Sequence, residues 1–403
     1  MVYHIKRKLL QILILAVFAG LLLLPAVRDN STANRFQQEL REQTKDTIPI
    51  VFLCPTTGYY SFVGEDAAWT ARYAVEQINA SGGINGKKVQ LFLKDTRSSK
   101  NLAVSYFLGA SRETPAVIGP VEAPSSSSIA PLLEDSKTTS IASYSYKDIR
   151  NTYQPYTIAY MNDSETGEYL AVKKWSQHNP DIKKVVIFTD TTDEAKNDSV
   201  TLLKKMLPEL NLQLLDVIDL SGTRDQRHFE QCAIQALNKK ADGYISLLSA
   251  DDYTNILHEL KKRGISEGRR ITASFSSMSS QLLTSAKDNL DQTFIWNKFD
   301  LNYNEQQWRA LKTAYQRSHN GEQPVNTIIP DIYNAILALC QCYDELDLSG
   351  TETDDASRQK VNEWFQNPPV IQGIQGDFTW ENGRKIADYY FFKFEGQNLT
   401  PLS

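Results

Sequence analysis

Between residues 49 and 275 the apolar positions change period repeatedly. Short runs such as Pro49-Ile50-Val51-Phe52-Leu53 and Lys184-Val185-Val186-Ile187-Phe188 alternate with stretches in which apolar residues recur every three or four positions. The clearest case is Ala74-Val75-Glu76-Gln77-Ile78-Asn79-Ala80, which runs into Ser81-Gly82-Gly83-Ile84-Asn85-Gly86 and then Lys87-Lys88-Val89-Gln90-Leu91-Phe92-Leu93-Lys94-Asp95. Alanine, Val75 and Ile78 need a face to pack on, the glycines stop the helix, and the alternation after Lys88 is that of a strand. The same rhythm predicts strands over 49–53, 88–94, 116–119 and 138–142, with helices over 65–80, 100–111 and 125–136. It then repeats with strands over 184–188, 213–219, 243–248 and 270–275 and helices over 165–177, 194–207, 226–238 and 251–263. Alternating β and α elements imply parallel sheets with helices on both faces, so the fold class is α/β.

Further helices are predicted over 304–318 and 330–346. Asn382-Gly383 is a turn signal that predicts a hairpin pairing Phe378-Thr379-Trp380 with Tyr389-Tyr390-Phe391-Phe392-Lys393-Phe394. Tyr156-Thr157-Ile158-Ala159-Tyr160 reads as the first crossing from one lobe to another. A chain of 403 residues is too long for one ordinary core and suits two lobes.

The amino terminus has another pattern. His4-Ile5-Lys6-Arg7-Lys8 precedes an apolar run from Leu9 to Val27 broken only by Gln11 and Pro25, and a basic flank of this kind sends the downstream chain across the membrane. Residues 1–28 are therefore a signal peptide or an amino-terminal anchor. Pro25-Ala26-Val27-Arg28 is a poor cleavage site, which favours the anchor. Residues 29–47 are polar and only faintly helical, and are expected to be a stalk.

As an ordered series the motifs resemble the leucine/isoleucine/valine-binding proteins, the type I periplasmic solute-binding proteins of ABC importers. The series comprises the first strand, the Gly58 turn, Gly64, Ile78-Asn79-Ala80 and Gly82-Gly83-Ile84-x-Gly86-Lys87. It continues with Val117-Ile118-Gly119-Pro120, Ser140-Ile141-Ala142-Ser143-Tyr144-Ser145 and Gly373-x-x-Gly376-Asp377-Phe378-Thr379-Trp380-Glu381-Asn382-Gly383. The resemblance runs from about residue 48 onward. It implies two Rossmann-like lobes with parallel sheets joined by a three-stranded hinge, with Phe294-Ile295-Trp296 as the second crossing. Lobe 1 would be 48–161 and 297–372, and lobe 2 would be 162–296 and 373–403. The ligand would lie where the carboxyl ends of the strands of both lobes meet.

Those strand ends supply the candidate ligand-binding residues. Tyr60 and Val63 come after the first strand and Ala123 and Ser125 after the third. Ser125 to Ser128 open a helix, where hydroxyls and free amides either cap the helix, hold a carboxylate, or do both. The resemblance puts the family's pair that binds the ligand's amino and carboxylate groups on Tyr144 and Tyr146, with Ser145 between, and a loop contact on Ala123. In lobe 2 it puts a tyrosine position on Glu194, an aromatic position on Ser249, and the acid that neutralises the ligand's ammonium on Phe275. An uncompensated buried ammonium is costly, so Glu194, Glu122 or Asp251 takes that role or the ligand is not a zwitterion. Tyr59, Tyr60, Phe62, Tyr144, Tyr146, Phe275 and Trp296 either line a π-rich pocket or pack its walls.

A net charge of −5 excludes the basic footprint of a nucleic-acid binder. Four cysteines do not make a disulfide framework. Cys340 and Cys342 are read as buried free thiols, and the places of the family's common disulfide hold Ser98 and Glu122. The five histidines are isolated and no nucleophile, metal or phosphate motif occurs, so neither an enzyme, a cofactor nor a metal is expected. The expected function is capture of a small polar ligand, an amino acid or related compound, by hinge closure for an ABC permease. The alternative is a membrane-anchored sensor of the same fold that signals to a partner.

Overall fold

A computed structural model describes residues 31–144, 156–279, 282–283, 289–396 and 398–402. The chain folds as two compact units. Among the described residues, one comprises those up to Tyr160 with Ile332–Pro368 and Trp380–Arg384; the other comprises those within Met161–Asp331, Pro369–Thr379 and Lys385–Ser403. The class is α/β, as expected.

In the first unit a helix α1 over 31–43 precedes strand β1 (Thr47–Cys54). Helix α2 (Ser61–Ala80), β2 (Lys88–Asp95), α3 (Lys100–Ala110), β3 (Ala116–Ile118), α4 (Ala123–Ile129), α5 (Leu133–Ser136), β4 (Thr139–Ala142) and β5 (Thr157–Ala159) come next. The strands form one parallel sheet in the order β2-β1-β3-β4-β5. Every residue of β1 after Thr47 is buried, as in a strand covered on both faces. The turn after α2 is built as the glycines suggest. Gly82 and Gly83 have φ of 112° and 78°, and a Cβ on Gly83 would lie 1.9 Å from the Lys87 carbonyl oxygen.

The first unit's opening segment ends at Tyr160, where the crossing was expected, and Thr157–Ala159 just before it is the edge strand β5, paired with β4. One expectation for this unit is corrected. The stretch expected to be a stalk is largely α1, packed into the first unit. Phe36 and Leu40 are 2 % and 0 % exposed in the core with Val51, Phe92 and Phe107, and the Phe36 ring meets Tyr106 edge-on at 5.7 Å. Arg41 and Gln37 bond Glu113, and Lys94 pairs with Glu39. Residues 1–28, read as signal or anchor, lie outside the described residues, and among the described residues no helix is long and apolar enough to cross a membrane.

The second unit repeats the rhythm with α6 (Ser164–His178), β6 (Lys184–Thr189), α7 (Glu194–Met206), β7 (Gln213–Asp219), α8 (Gln226–Asn238), β8 (Gly243–Ser246), α9 (Ala250–Lys262), β9 (Ile271–Ala273) and β10 (Phe294–Asn297). Helix α10 (Gln306–Ser318), α11 (Ile328–Glu345), which runs on into the first unit, and the first unit's α12 (Asp355–Gln366) lead to strands β11 (Ile371–Gly373), β12 (Gly376–Glu381), β13 (Arg384–Ile386), β14 (Tyr390–Glu395) and β15 (Asn398–Pro401). A seven-stranded sheet has the order β15-β14-β10-β9-β8-β6-β7, parallel from β7 to β10, and a three-stranded sheet joins β11, β12 and β13.

Here too the pattern misleads in places. Phe294-Ile295-Trp296 is the interior strand β10 rather than a crossing, with Ile295 opposite Ala273 and Phe392. Asn382 and Gly383 do turn the chain, both at positive φ, but the returning strand is Arg384–Ile386. The aromatic run 390–395 is claimed by β10 and β15 instead. Residues 297–331 pack with the second unit, where Val325 enters the core and Phe299 meets Trp308 at 5.7 Å. All four cysteines are free and buried.

Candidate functional site

In each unit the carboxyl edge of the parallel sheet gathers the loops that carry the candidate residues. In the first unit the loop after β1 is tied to the loop after β2. Asp95 accepts from the Thr57 amide at 3.1 Å, the Thr57 hydroxyl at 2.6 Å and the Arg97 amide at 2.9 Å. The Ser98 hydroxyl accepts from the Tyr60 amide at 3.0 Å. Burial alone would raise the Asp95 pKa, but these donors outweigh it and hold the carboxyl below its ordinary value. Arg97 and Ser98 both have positive φ, 53° and 55°, a strain that the surrounding bonds maintain. The tied loop displays aromatics: Tyr59 and Phe62 are 66 % and 63 % exposed, and Tyr60 lies between them, 4.9 Å and 6.4 Å away between ring centroids. Val63 is half-buried in the first turn of α2.

Ala123 is exposed as the first residue of α4. Ser125 is buried, and its hydroxyl donates to Glu122 Oε1 at 2.7 Å; the Ser126 hydroxyl donates to the Pro120 carbonyl. These hydroxyls are therefore spent within the loop beside a carboxylate, which disfavours a bound carboxylate there. Tyr144 is 5 % exposed in the core, and its hydroxyl donates to Ser140 at 2.9 Å, so its side chain packs the wall rather than facing a ligand. Ser145 and Tyr146 lie outside the described residues, and so does the side chain of Glu194, the first residue of α7.

In the second unit Ser249 precedes α9 and donates its hydroxyl to Asp252 at 3.2 Å. Asp252, 2 % exposed, and Asp190, 3 % exposed, share the Arg224 guanidinium at 3.2 Å and 2.5 Å. Desolvation pushes Asp252 up. For Asp190, bonds from Thr192 and the nearby cations outweigh burial and push it down. At the end of β7, Asp219 is held to about 2, its burial outweighed by donors from Ser221 and Thr191. Phe275 is half-buried just after β9, with its ring 5.0 Å from Trp296 and 4.4 Å from Lys298 Nζ. Lys298 donates to the Asn162 carbonyl and the Ser164 hydroxyl at 2.8 Å, and desolvation lowers it to about 8. Behind Phe275, Glu168 accepts from Ser274 and from Trp296 Nε1, the latter at 2.8 Å, and desolvation raises it to about 7.

Glu168, Lys298, Asp190, Arg224 and Asp252 were not singled out from the sequence, where Asp251 was named in place of its buried neighbour. A signal existed: Glu168 lies on the same buried stripe as Gly167, Ala171, Val172 and Trp175, and Asp252 on that of Tyr253, Ile256 and Leu260. A carboxylate on an apolar stripe is committed to burial with partners. A hollow of about 600 Å3 lined by Lys183, Lys184, Lys204 and Leu207 opens at the start of β6 and β7, the opposite edge from these groups. Among the described residues no group of three or more His, Cys, Asp or Glu is placed to hold a metal.

A family model described as periplasmic binding protein matches residues 47–398. The chain belongs to the periplasmic binding protein family. Solved structures share its fold at low identity. The leucine-binding protein of Thermotoga maritima is 18% identical, with 89% of this chain and 98% of that one covered at a TM-score of 0.71. The branched-chain amino acid transporter substrate-binding protein of Streptococcus pneumoniae, solved with isoleucine, is 17% identical over 88% and 97% at 0.71. An ABC-transporter solute-binding protein of Rhodopseudomonas palustris, solved with 3,4-dihydroxybenzoic acid, is 17% identical over 87% and 95% at 0.70. No curated protein sequence matches the chain.

Proposed function

We propose that this periplasmic binding protein captures a small polar solute, an amino acid or a related compound, outside the cytoplasm by hinge closure and delivers it to the permease of an ABC importer, without chemical change to the solute. The observation that carries the reading is the family match over residues 47–398, which takes in both parallel-sheet units. The amino-acid ligand is supported by the leucine and isoleucine named for two structural neighbours. The dihydroxybenzoate of the third shows that the same fold admits acids without an amino group. Residues 9–27 would tether the protein to the membrane. The ligand-facing set would be Tyr60, Val63 and Ala123 on the first unit with Ser145 and Tyr146, and Glu194, Ser249 and Phe275 on the second.

A ligand that binds only the folded protein raises its melting temperature by mass action, adding about 2.7 kcal/mol at a hundred times Kd. A thermal-shift screen of the full chain against amino acids, small peptides, polyamines, ureas and aromatic acids is expected to produce a shift with one chemical class. No shift with any class would defeat the proposal. Uptake of the identified solute by cells expressing the chain separates delivery to a permease from signalling to a sensor partner.

A further inference from the structure

We infer that Glu122 of the first unit receives the positively charged group of the ligand, so that this chain takes solutes bearing an amino group. The inference rests on the solute-binding reading above and assigns the ammonium site within it.

Three carboxylates were open for that role. Asp251 is exposed in the first turn of α9, where it serves the helix dipole. The side chain of Glu194, the first residue of α7, lies outside the described residues. Glu122 differs. It is 5 % exposed, immediately precedes α4, and stands after β3 at the carboxyl edge of the sheet. Its Oε1 accepts from Ser125 at 2.7 Å and from Thr96, just after β2, at 3.2 Å. These two hydroxyls orient the carboxyl group. Its Oε2 is buried and has no hydrogen-bond partner among the described residues. A buried carboxylate oxygen left unpaired is costly and calls for an explanation, and a bound group that supplies the missing donor is one. None of its described hydrogen-bond or salt-bridge partners is a cation. The neighbouring Asp95 has the 73 % exposed Arg97 side chain at 4.0 Å, and the loop donors described above.

The second unit points the same way by exclusion. The position where an acid was expected holds Phe275, and the ammonium of Lys298 lies against its ring. A cation at that place repels a ligand ammonium rather than neutralising it. Position 275 therefore offers an ammonium no acid within the second unit. The donors on Oε1 also explain why Ser125 is unavailable to a ligand carboxylate, because it is committed to positioning this acid.

The test compares matched probes that differ only by the α-amino group. L-leucine is set against 4-methylpentanoate, and L-phenylalanine against 3-phenylpropanoate, each titrated calorimetrically into the full chain and into Glu122→Gln. The substitution keeps shape and the Oε1 acceptor while removing the charge. The expected result is that at least one amino acid binds the unaltered chain, and that Glu122→Gln weakens it at least tenfold without weakening its deaminated partner. Equal affinity of both proteins for the amino acid overturns the assignment and leaves the solute-binding function standing. So does binding of the deaminated acids alone. Failure of every probe overturns the assignment, and the solute-binding function falls with it only if the thermal-shift screen is also blank.

Should Glu122→Gln not fold, the pH profile of the unaltered chain decides. Burial raises Glu122, while its titratable neighbours lie elsewhere: Asp95 is held low by its donors and burial pushes the Cys54 thiol up, out of the acidic range. Amino-acid affinity is then expected to fall as the solution is acidified through the raised Glu122 pKa, and a flat profile from neutrality to pH 4.5 overturns the assignment.

Discussion

Replacing Phe36 by alanine separates a packed helix from a polar stalk. Phe36 is 2 % exposed, buried with Phe92 and Phe107, edge-on to Tyr106 at 5.7 Å and with Lys94 Nζ 4.5 Å from its ring centroid. Gly109 on α3 admits this contact, since a Cβ there would lie 3.3 Å from the Phe36 side chain and 2.7 Å from the Ala33 carbonyl oxygen. Truncating a buried phenylalanine to alanine costs about 3–5 kcal/mol in transfer and cavity terms. For a unit of this size each kcal/mol lowers the melting temperature by about 2–4 °C. Scanning calorimetry of the full chain should show the first unit's transition lowered by about 6–20 °C, with the second unit's unmoved. Leu40→Ala should behave alike, at about 2–5 kcal/mol. A free stalk would give the surface value, within about 0.5 kcal/mol. A shift below 2 °C for both variants would refute the docking of α1.

Other consequences arise from buried groups. Glu168 is raised to about 7 in the folded second unit, so its contribution to stability is complete below its unfolded pKa and is lost as pH rises through 7. Melting of that unit should fall between pH 5 and 7.5 by an amount on the order of 3 kcal/mol, and Glu168→Gln should flatten the decline. Lys298, lowered to about 8, stays charged in both states at the acid end of this window. Arg224→Ala leaves Asp190 and Asp252 buried without their shared cation and should cost about 1–3 kcal/mol by urea denaturation, with Asp252→Asn recovering part of the loss. Gly64→Ala should destabilise the first unit by about 1–3 kcal/mol in the same assay, because the added Cβ would lie 2.0 Å from the Pro55 carbonyl oxygen unless the loop carrying Tyr59 and Tyr60 moves.

The parallel αβ rhythm was legible because strands such as β1 and β6 are continuous apolar runs, β2 alternates, and apolar residues in the helices between them recur every three or four positions, so the periods announce themselves. The glycine turn after α2 was equally clear, since positive φ leaves few residue choices. Pairing was less legible. The Asn382-Gly383 signal specifies a turn but not the length of the strand it returns, and Phe391 and Phe392 are apolar enough for either sheet. Helix α1 was missed because only Ala33, Phe36 and Leu40 are apolar on its buried face, while its polar contacts with Glu113 and Lys94 lie far away in sequence. The ligand-facing positions were placed through a family resemblance. What distinguishes them, Ser125 committed to Glu122, Tyr144 turned into the core and Lys298 beside Phe275, depends on side-chain direction and long-range pairing that periodicity does not encode.

The claim that the protein holds a solute without altering it is tested most directly by titrating the compound found in the thermal-shift screen into the full chain and then recovering it from the complex. The account predicts saturation at one molecule per chain, a negative heat-capacity change from the apolar surface removed from water, and recovery of the compound unchanged. Conversion of the compound, or heat without saturation, would contradict it.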